Sequence, residues 1–162
     1  MRKDVILDLG LYFVKHSNKA LTKENLHNFI VLVDILELEK YATCFSDADY
    51  ILKNNRIEIV GLNELVSDDT DLRRVFIESD NAYDTFSIAT KALVEQAMLV
   101  FNGDEKTLRD KLSLSIPVEK GIIFSDELYR VVLGKSYGDS AVIDEIIEKI
   151  NHHKYMYKTF AL

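Results

Sequence analysis

The polar residue with the most to say about chemistry is Asp34, the one carboxylate in the run Phe29-Ile30-Val31-Leu32-Val33-Asp34-Ile35-Leu36. An ionised carboxylate among apolar neighbours costs on the order of several kcal/mol unless a cation or several hydrogen-bond donors meet it. Asp34 is therefore expected either to contact a partner or act as an acid, or to be paired internally with Arg, Lys or backbone amides. His27 stands seven residues earlier on roughly the same helical face, about 10 Å away and too far for a direct dyad.

Other side chains of reactive type fall short of a recognised pattern. Asp47 and Asp49 are hard-cation donors, but no third ligand follows at a known spacing and the glycine of an EF-hand loop is absent. Glu37-Leu38-Glu39-Lys40 imitates the acidic cluster of a metal-dependent nuclease, which belongs on a strand; here it continues a helix and predicts a solvated helix end. Gly134-Lys135-Ser136 matches the end of a phosphate loop, yet Tyr129 occupies the place of the required first glycine, so a helix stop and turn is expected. Ser79-Asp80-Asn81 has no Ser-x-x-Lys companion and is expected to cap a helix. His152 and His153 are adjacent, hence on different helical faces, and Cys44 has no evident activating partner. No metal or cofactor set is expected.

Two stretches have the chemistry of contact surfaces. Lys53-Asn54-Asn55-Arg56 forms a basic hairpin tip suited to the wing of a winged-helix DNA-binding domain, with Arg73-Arg74 as further phosphate contacts. The basic and aromatic end of the chain, including Tyr155, Tyr157 and Phe160, has residue types that anchor interfaces, to another protein or a second copy, unless it folds back onto its own core.

The elements that must position these groups follow from periodicity. Between Leu26 and Leu38 apolar side chains surround the whole helix circumference, so a central helix over 23–40, capped by Thr22, is expected to be buried on all sides. Residues Asp4 to Lys15 form an amphipathic helix that packs on it. Tyr50 to Ile59 reads as a hairpin, because Asn54 and Asn55 both tolerate the positive φ of a type I′ turn. In that register Tyr50, Leu52, Ile57 and Ile59 share one apolar face. Between Gly61 and Glu78 a short helix over 63–66 and a helix or strand at Val75-Phe76-Ile77 are expected. A second long helix runs from Ala82 to Phe101, capped by Asn81 and stopped by a left-handed turn at Asn102-Gly103. A short helix over 104–112, a small strand at Ile122-Ile123-Phe124, a helix capped by Ser125 and ending at Gly134, and a last helix from Ala141 follow. The fold class is thus mainly α (α+β): a single helical domain over 1–162 around the central helix, with a small β-hairpin near 50–59 and a basic aromatic C-terminal tail over 152–162.

Composition narrows the class of function. A chain of 162 residues with 48% hydrophobic content suits one domain. Twenty Lys and Arg against 27 Asp and Glu, a net charge of −7, disfavour broad affinity for nucleic acid or anionic membrane. No apolar run approaches the roughly 20 residues of a membrane span. A single cysteine, and no hydrophobic signal region after Met1-Arg2-Lys3-Asp4, predict a reducing, cytoplasmic setting.

The order of motifs in the first 50 residues resembles the N-terminal part of the Panacea domain, the family of SocA-like antitoxins and phage-associated proteins. The counterparts are the helix Val5 to Val14, the helix start Leu21-Thr22, the segment Val31-Leu32-Val33-Asp34, then Tyr41 and the acidic turn Phe45-Ser46-Asp47. Where that family continues into a Tyr-Gly-Pro-Val segment, this chain has Ile51 to Ile59 with neither Gly nor Pro. The resemblance implies a small helical protein of a prokaryote or phage that is not an enzyme and binds a protein partner, as a toxin-neutralising or defence-system accessory protein, with Asp34 at the family's aspartate position. The expected contacts are Asp34, Lys53, Arg56, Tyr155, Tyr157 and Phe160. A winged-helix-like DNA-binding regulator using the hairpin tip is the alternative, and an enzyme comes third.

Overall fold

The computed structural model describes residues 2–65, 86–114, 116 and 119–160, the last four of these as backbone alone. The chain opens with α1, Lys3–His16, which buries Val5, Ile6, Leu9, Tyr12 and Phe13 at the predicted helical spacing. The central helix α2, Lys23–Tyr41, is buried at every position from Phe29 to Leu36, as its all-round apolar sequence requires. Thr22 caps its start by accepting the Asn25 N–H at 3.1 Å, and Ala42 ends it in the left-handed region with φ 57°. Thr22→Ala is expected to cost about 1 kcal/mol and lower the Tm by about 3 °C, readable by calorimetry.

The hairpin pairs β1, Tyr50–Lys53, with β2, Arg56–Ile59, in the register Tyr50 to Ile59, Leu52 to Ile57 and Lys53 to Arg56. Asn54 and Asn55 take φ values of 52° and 60°, the positive values that a type I′ turn demands of both central residues. The repulsive Lys53–Arg56 pairing is relieved because the Arg56 guanidinium lies 2.6 Å from Glu24 on α2. A single short turn, α3, Leu62–Leu65, follows, close to the expected position. The expectations at Arg73-Arg74, Val75-Phe76-Ile77 and Ser79-Asp80-Asn81 lie outside the described residues.

The second long helix, α4, Ile88–Asn102, starts later than the apolar stripe suggested, because Ser87 accepts the Thr90 N–H and serves as its cap. Its end also differs. Gly103 has φ −85° and is not left-handed. Asn102 instead clasps the end of α1, donating to His16 O at 3.0 Å and accepting the Asn18 N–H at 2.9 Å. Helix α4 packs against α1 and α2 through the ring cluster of Phe13, Phe29 and Phe101, whose centroids lie 5.4 to 5.7 Å apart.

Helix α5, Glu105–Leu112, is capped by Asp104. No strand forms at Ile122-Ile123-Phe124. The Gly121 N–H bonds Leu52 O and the Phe124 N–H bonds Tyr50 O, at 3.1 and 3.0 Å, so three residues run against two of β1 and the ladder register is lost. Helix α6, Ser125–Leu133, has Phe124 at its cap position; Ser125 is its first residue, and its hydroxyl is used elsewhere. Residues 134–136 form the expected stop and turn. The largest departure is α7, Ser140–Phe160: the basic aromatic segment is not a separate tail but continues this helix. One buried stripe, Ile143, Ile147, Ile150 and Lys154, explains the continuation, since the helical spacing of inward positions carries on past Ile150. The whole is mainly helical with one small antiparallel hairpin, and among the described residues no helix is long and apolar enough to cross a membrane.

Candidate functional site

The segment between α2 and β1 folds back over the helix, with Ala42 and Asp47 both at positive φ. That reversal brings Ser46 onto Asp34. The Ser46 N–H donates to Asp34 Oδ1 at 2.9 Å, the Ser46 hydroxyl to Oδ2 at 2.6 Å, and the Tyr50 hydroxyl also to Oδ2. Burial pushes the Asp34 carboxyl above its usual range, opposed by these hydrogen bonds and by the charge of Lys154. Asp34 has no exposed surface, which corrects its assignment as a partner contact: its partners are internal backbone and hydroxyl donors. Around it lie Cys44, whose thiol burial pushes up to about 12, and Tyr129, whose hydroxyl reaches Cys44 Sγ at 3.6 Å. Such a thiol is a small packed side chain, not a nucleophile.

The next layer is ionic. Asp49 Oδ1 accepts from the Ser125 hydroxyl at 2.8 Å and from Lys154 Nζ at 3.0 Å, and the Ser125 oxygen in turn accepts the Tyr50 N–H at 3.2 Å. Lys154 is 5% exposed and sits 4.8 Å above the Tyr129 ring. One residue earlier on α7, His153 Nδ1 lies 3.1 Å from Oδ1 of the buried Asp47. Thus Asp47 and Asp49, two apart on the loop before β1, meet His153 and Lys154, neighbours on one helix.

Beside this double contact opens a cleft of about 640 Å³ between α2, the 42–47 loop, the start of α1, Thr90 and α7. Its walls include Tyr41, Phe45, Ile146 and Ile150, and its ionisable groups are Arg2, Glu37, Asp47, Lys149 and His153. Glu37 was expected in a solvated helix end and is instead partly buried here. Burial, then the charges of Asp34 and Asp47, raise its carboxyl to about 8, while Thr43 and Arg2 pull the other way. Its neighbour Glu39 is not free either, lying 3.5 Å from Lys111 of α5.

The Glu37 shift has a definite sign. Its carboxyl titrates higher folded than unfolded, so its contribution to stability is complete below pH 4.5 and is lost as pH rises through 8. Glu37→Gln, which keeps shape without charge, is expected to match the wild type at pH 5 and exceed it by about 2 kcal/mol at pH 8.5. Urea midpoints at the two pH values read this directly; equal differences at both would remove Glu37 as the cause.

His27 is a different case, a structural histidine. Its Nδ1 accepts the Ile59 N–H at 2.9 Å and Nε2 faces Asn63 Oδ1 at 3.0 Å, which ties α2 to β2 and α3. Burial lowers its pKa, so this tie is complete above the ordinary histidine range and weakens as pH falls below it.

Of the expected contact residues, Lys53 is exposed at the hairpin tip, Arg56 is held by Glu24, and Tyr155 is 63% exposed on α7. The side chains of Tyr157 and Phe160 lie outside the described residues. Asp34, the hairpin tip and Tyr155 do not share one cleft. Sequence reasoning missed the gathering of Glu37, Asp47 and His153, whose available signal was the stripe Ile146, Lys149, Ile150 and His153 on one face of α7. Comparison with protein-family models, with curated proteins and with solved structures yields no match. The resemblance over residues 4–50 therefore rests on its motifs alone.

Proposed function

We propose that this chain is a non-enzymatic protein-binding module of a prokaryote or phage, acting in the cytoplasm as an antitoxin-like or defence-system accessory protein. The observation that carries this is the inverted polarity at the end of α7. Lys154 is buried at 5% exposure, while its neighbours Tyr155 and Met156 stand 63% and 39% exposed. A helix that turns its cation inward and its Tyr and Met outward holds interface-type side chains away from its own core. The motif resemblance, with its protein-binding family, supports the same reading. The alternative, a winged-helix-like DNA-binding regulator, needs a free basic hairpin tip, and Arg56 is already engaged by Glu24.

The test is site-specific photocrosslinking in the native host. A benzophenone amino acid at position 155 is expected to give a discrete protein adduct, and one at Asn55 on the hairpin tip is expected to give none. Nucleic-acid adducts from position 55 would favour the alternative, and the absence of a protein adduct at 155 would end the present reading.

A further inference from the structure

We propose that α4 carries a self-association face, on which a second copy of this chain docks its own α4 in antiparallel orientation about a two-fold axis. The inference does not depend on the protein-binding reading, because that reading rests on the end of α7 and this one on a different helix.

Helix α4 is apolar on two sides. Its inner stripe, Leu93, Val94, Ala97, Met98 and Phe101, is buried in the core. Its outer side still carries Ile88 and Leu99, which are 89% and 76% exposed, the two most exposed large apolar side chains among the described residues. They do not stand singly. Three helical turns separate them almost without rotation, so they lie on one line about 16 Å long, with the exposed Ala92 between them. A helix with apolar stripes on two sides has a second surface to bury, and the core of this chain takes up only the first.

The charges beside this line select the occupant. Lys91 and Glu95 lie on the same edge of it, one turn apart. When the helix meets an identical one running the other way, the register that sets Ile88 against the partner's Leu99 also brings Lys91 level with the partner's Glu95, to within about one residue. The two-fold axis repeats both pairs, which gives two apolar and two ionic contacts. A parallel pair turns that edge towards the opposite edge of its neighbour, where Ala89 and Gln96 stand, and offers the charges no counterpart. The face is therefore complementary to itself in one orientation, as an isologous contact requires. Ala92, near the axis, is too small to hold the two helices apart. One helix of about four turns from each copy makes a contact at the small end of specific interfaces, below about 1,200 Å² in total, so the pair is reversible.

Sedimentation equilibrium of the full chain between about 10 and 500 μM reads the association directly. An average mass that climbs from one chain towards two, and no further, is expected. I88D and L99D should each weaken the association at least about tenfold. Both should leave the melting temperature of the dilute chain unchanged, since these side chains already face water. K91E and E95K should each weaken the association about tenfold, because each sets like charges against one another across the axis. An equimolar mixture of K91E with E95K should associate as the wild type does, since the exchanged charges again meet opposites. Recovery on mixing is a result that misfolding does not produce. A wild type that stays monomeric throughout, growth beyond two copies, or a mixture of K91E and E95K that stays monomeric would overturn the proposal. So would a dimer lost in Y155D, which would place the contact on α7, or a monomer destabilised by I88D, which would mean that the chain covers this face itself.

Discussion

Asp34→Ala is expected to lower the stability of the protein by about 4 kcal/mol and its Tm by about 10 °C. The change removes the acceptor of three buried donors at once, the Ser46 N–H, the Ser46 hydroxyl and the Tyr50 hydroxyl. Each donor left unpaired costs roughly 1–3 kcal/mol, and the space left in a closed interior adds to it. Against this runs the relief of burying one carboxylate less, which burial has already made costly. The three orphaned donors outweigh that relief, because Asp34 is fully enclosed and no water reaches them. Asp34→Asn keeps the shape and one acceptor oxygen but turns an NH2 group towards donors, so about half the loss is expected. Urea denaturation decides it: both midpoints should fall with unchanged slope, and an Asp34→Ala loss under about 1 kcal/mol would mean that the loop does not depend on this carboxylate.

Lys154→Ala is expected to be nearly as severe, at about 3–4 kcal/mol. It strips the cation from Asp49, removes the ammonium above the Tyr129 ring, and deletes a stem packed at 5% exposure. Lys154→Met retains the stem and should cost less, about 2 kcal/mol, so the difference between the two isolates packing from charge. Adding Asp49→Asn to Lys154→Met should recover part of the loss, because the uncompensated carboxylate is then gone. Hydrogen exchange supplies the local readout: amides of 151–160 should lose protection in Lys154→Ala before those of α2 do. Uniform loss across the chain would show that Lys154 supports the core as a whole and not the end of α7.

How far the sequence spoke depended on whether the cause was local. Helix α2 was legible because its apolar residues encircle it and Thr22 marks its start. The hairpin register was legible because Asn54 and Asn55 are adjacent. Asp34 announced that it needed partners but not which ones, since Ser46 and Tyr50 reach it only through a loop reversed at Ala42 and Asp47, neither of them glycine. The strand expected at Ile122 to Phe124 was misread because its two backbone bonds to β1 are out of step, a fact that depends on where α6 must begin. The gathering of Asp47 and Asp49 with His153 and Lys154 spans more than a hundred residues. Its trace in the sequence was a lysine on an isoleucine stripe, easily taken for the solvated start of a tail.

That long-range contact has a consequence for how the protein is made. Asp49 leaves the ribosome 105 residues before Lys154, an interval of about 5–20 s at ordinary elongation rates. Until Asn102 has been made α2, apolar on every side, lacks α4 to cover it, and until Leu133 has been made it lacks α6. The nascent chain therefore presents a sticky, half-clothed helix for seconds, which makes it a natural client for ribosome-associated chaperones and a poor candidate for slow translation over its last third.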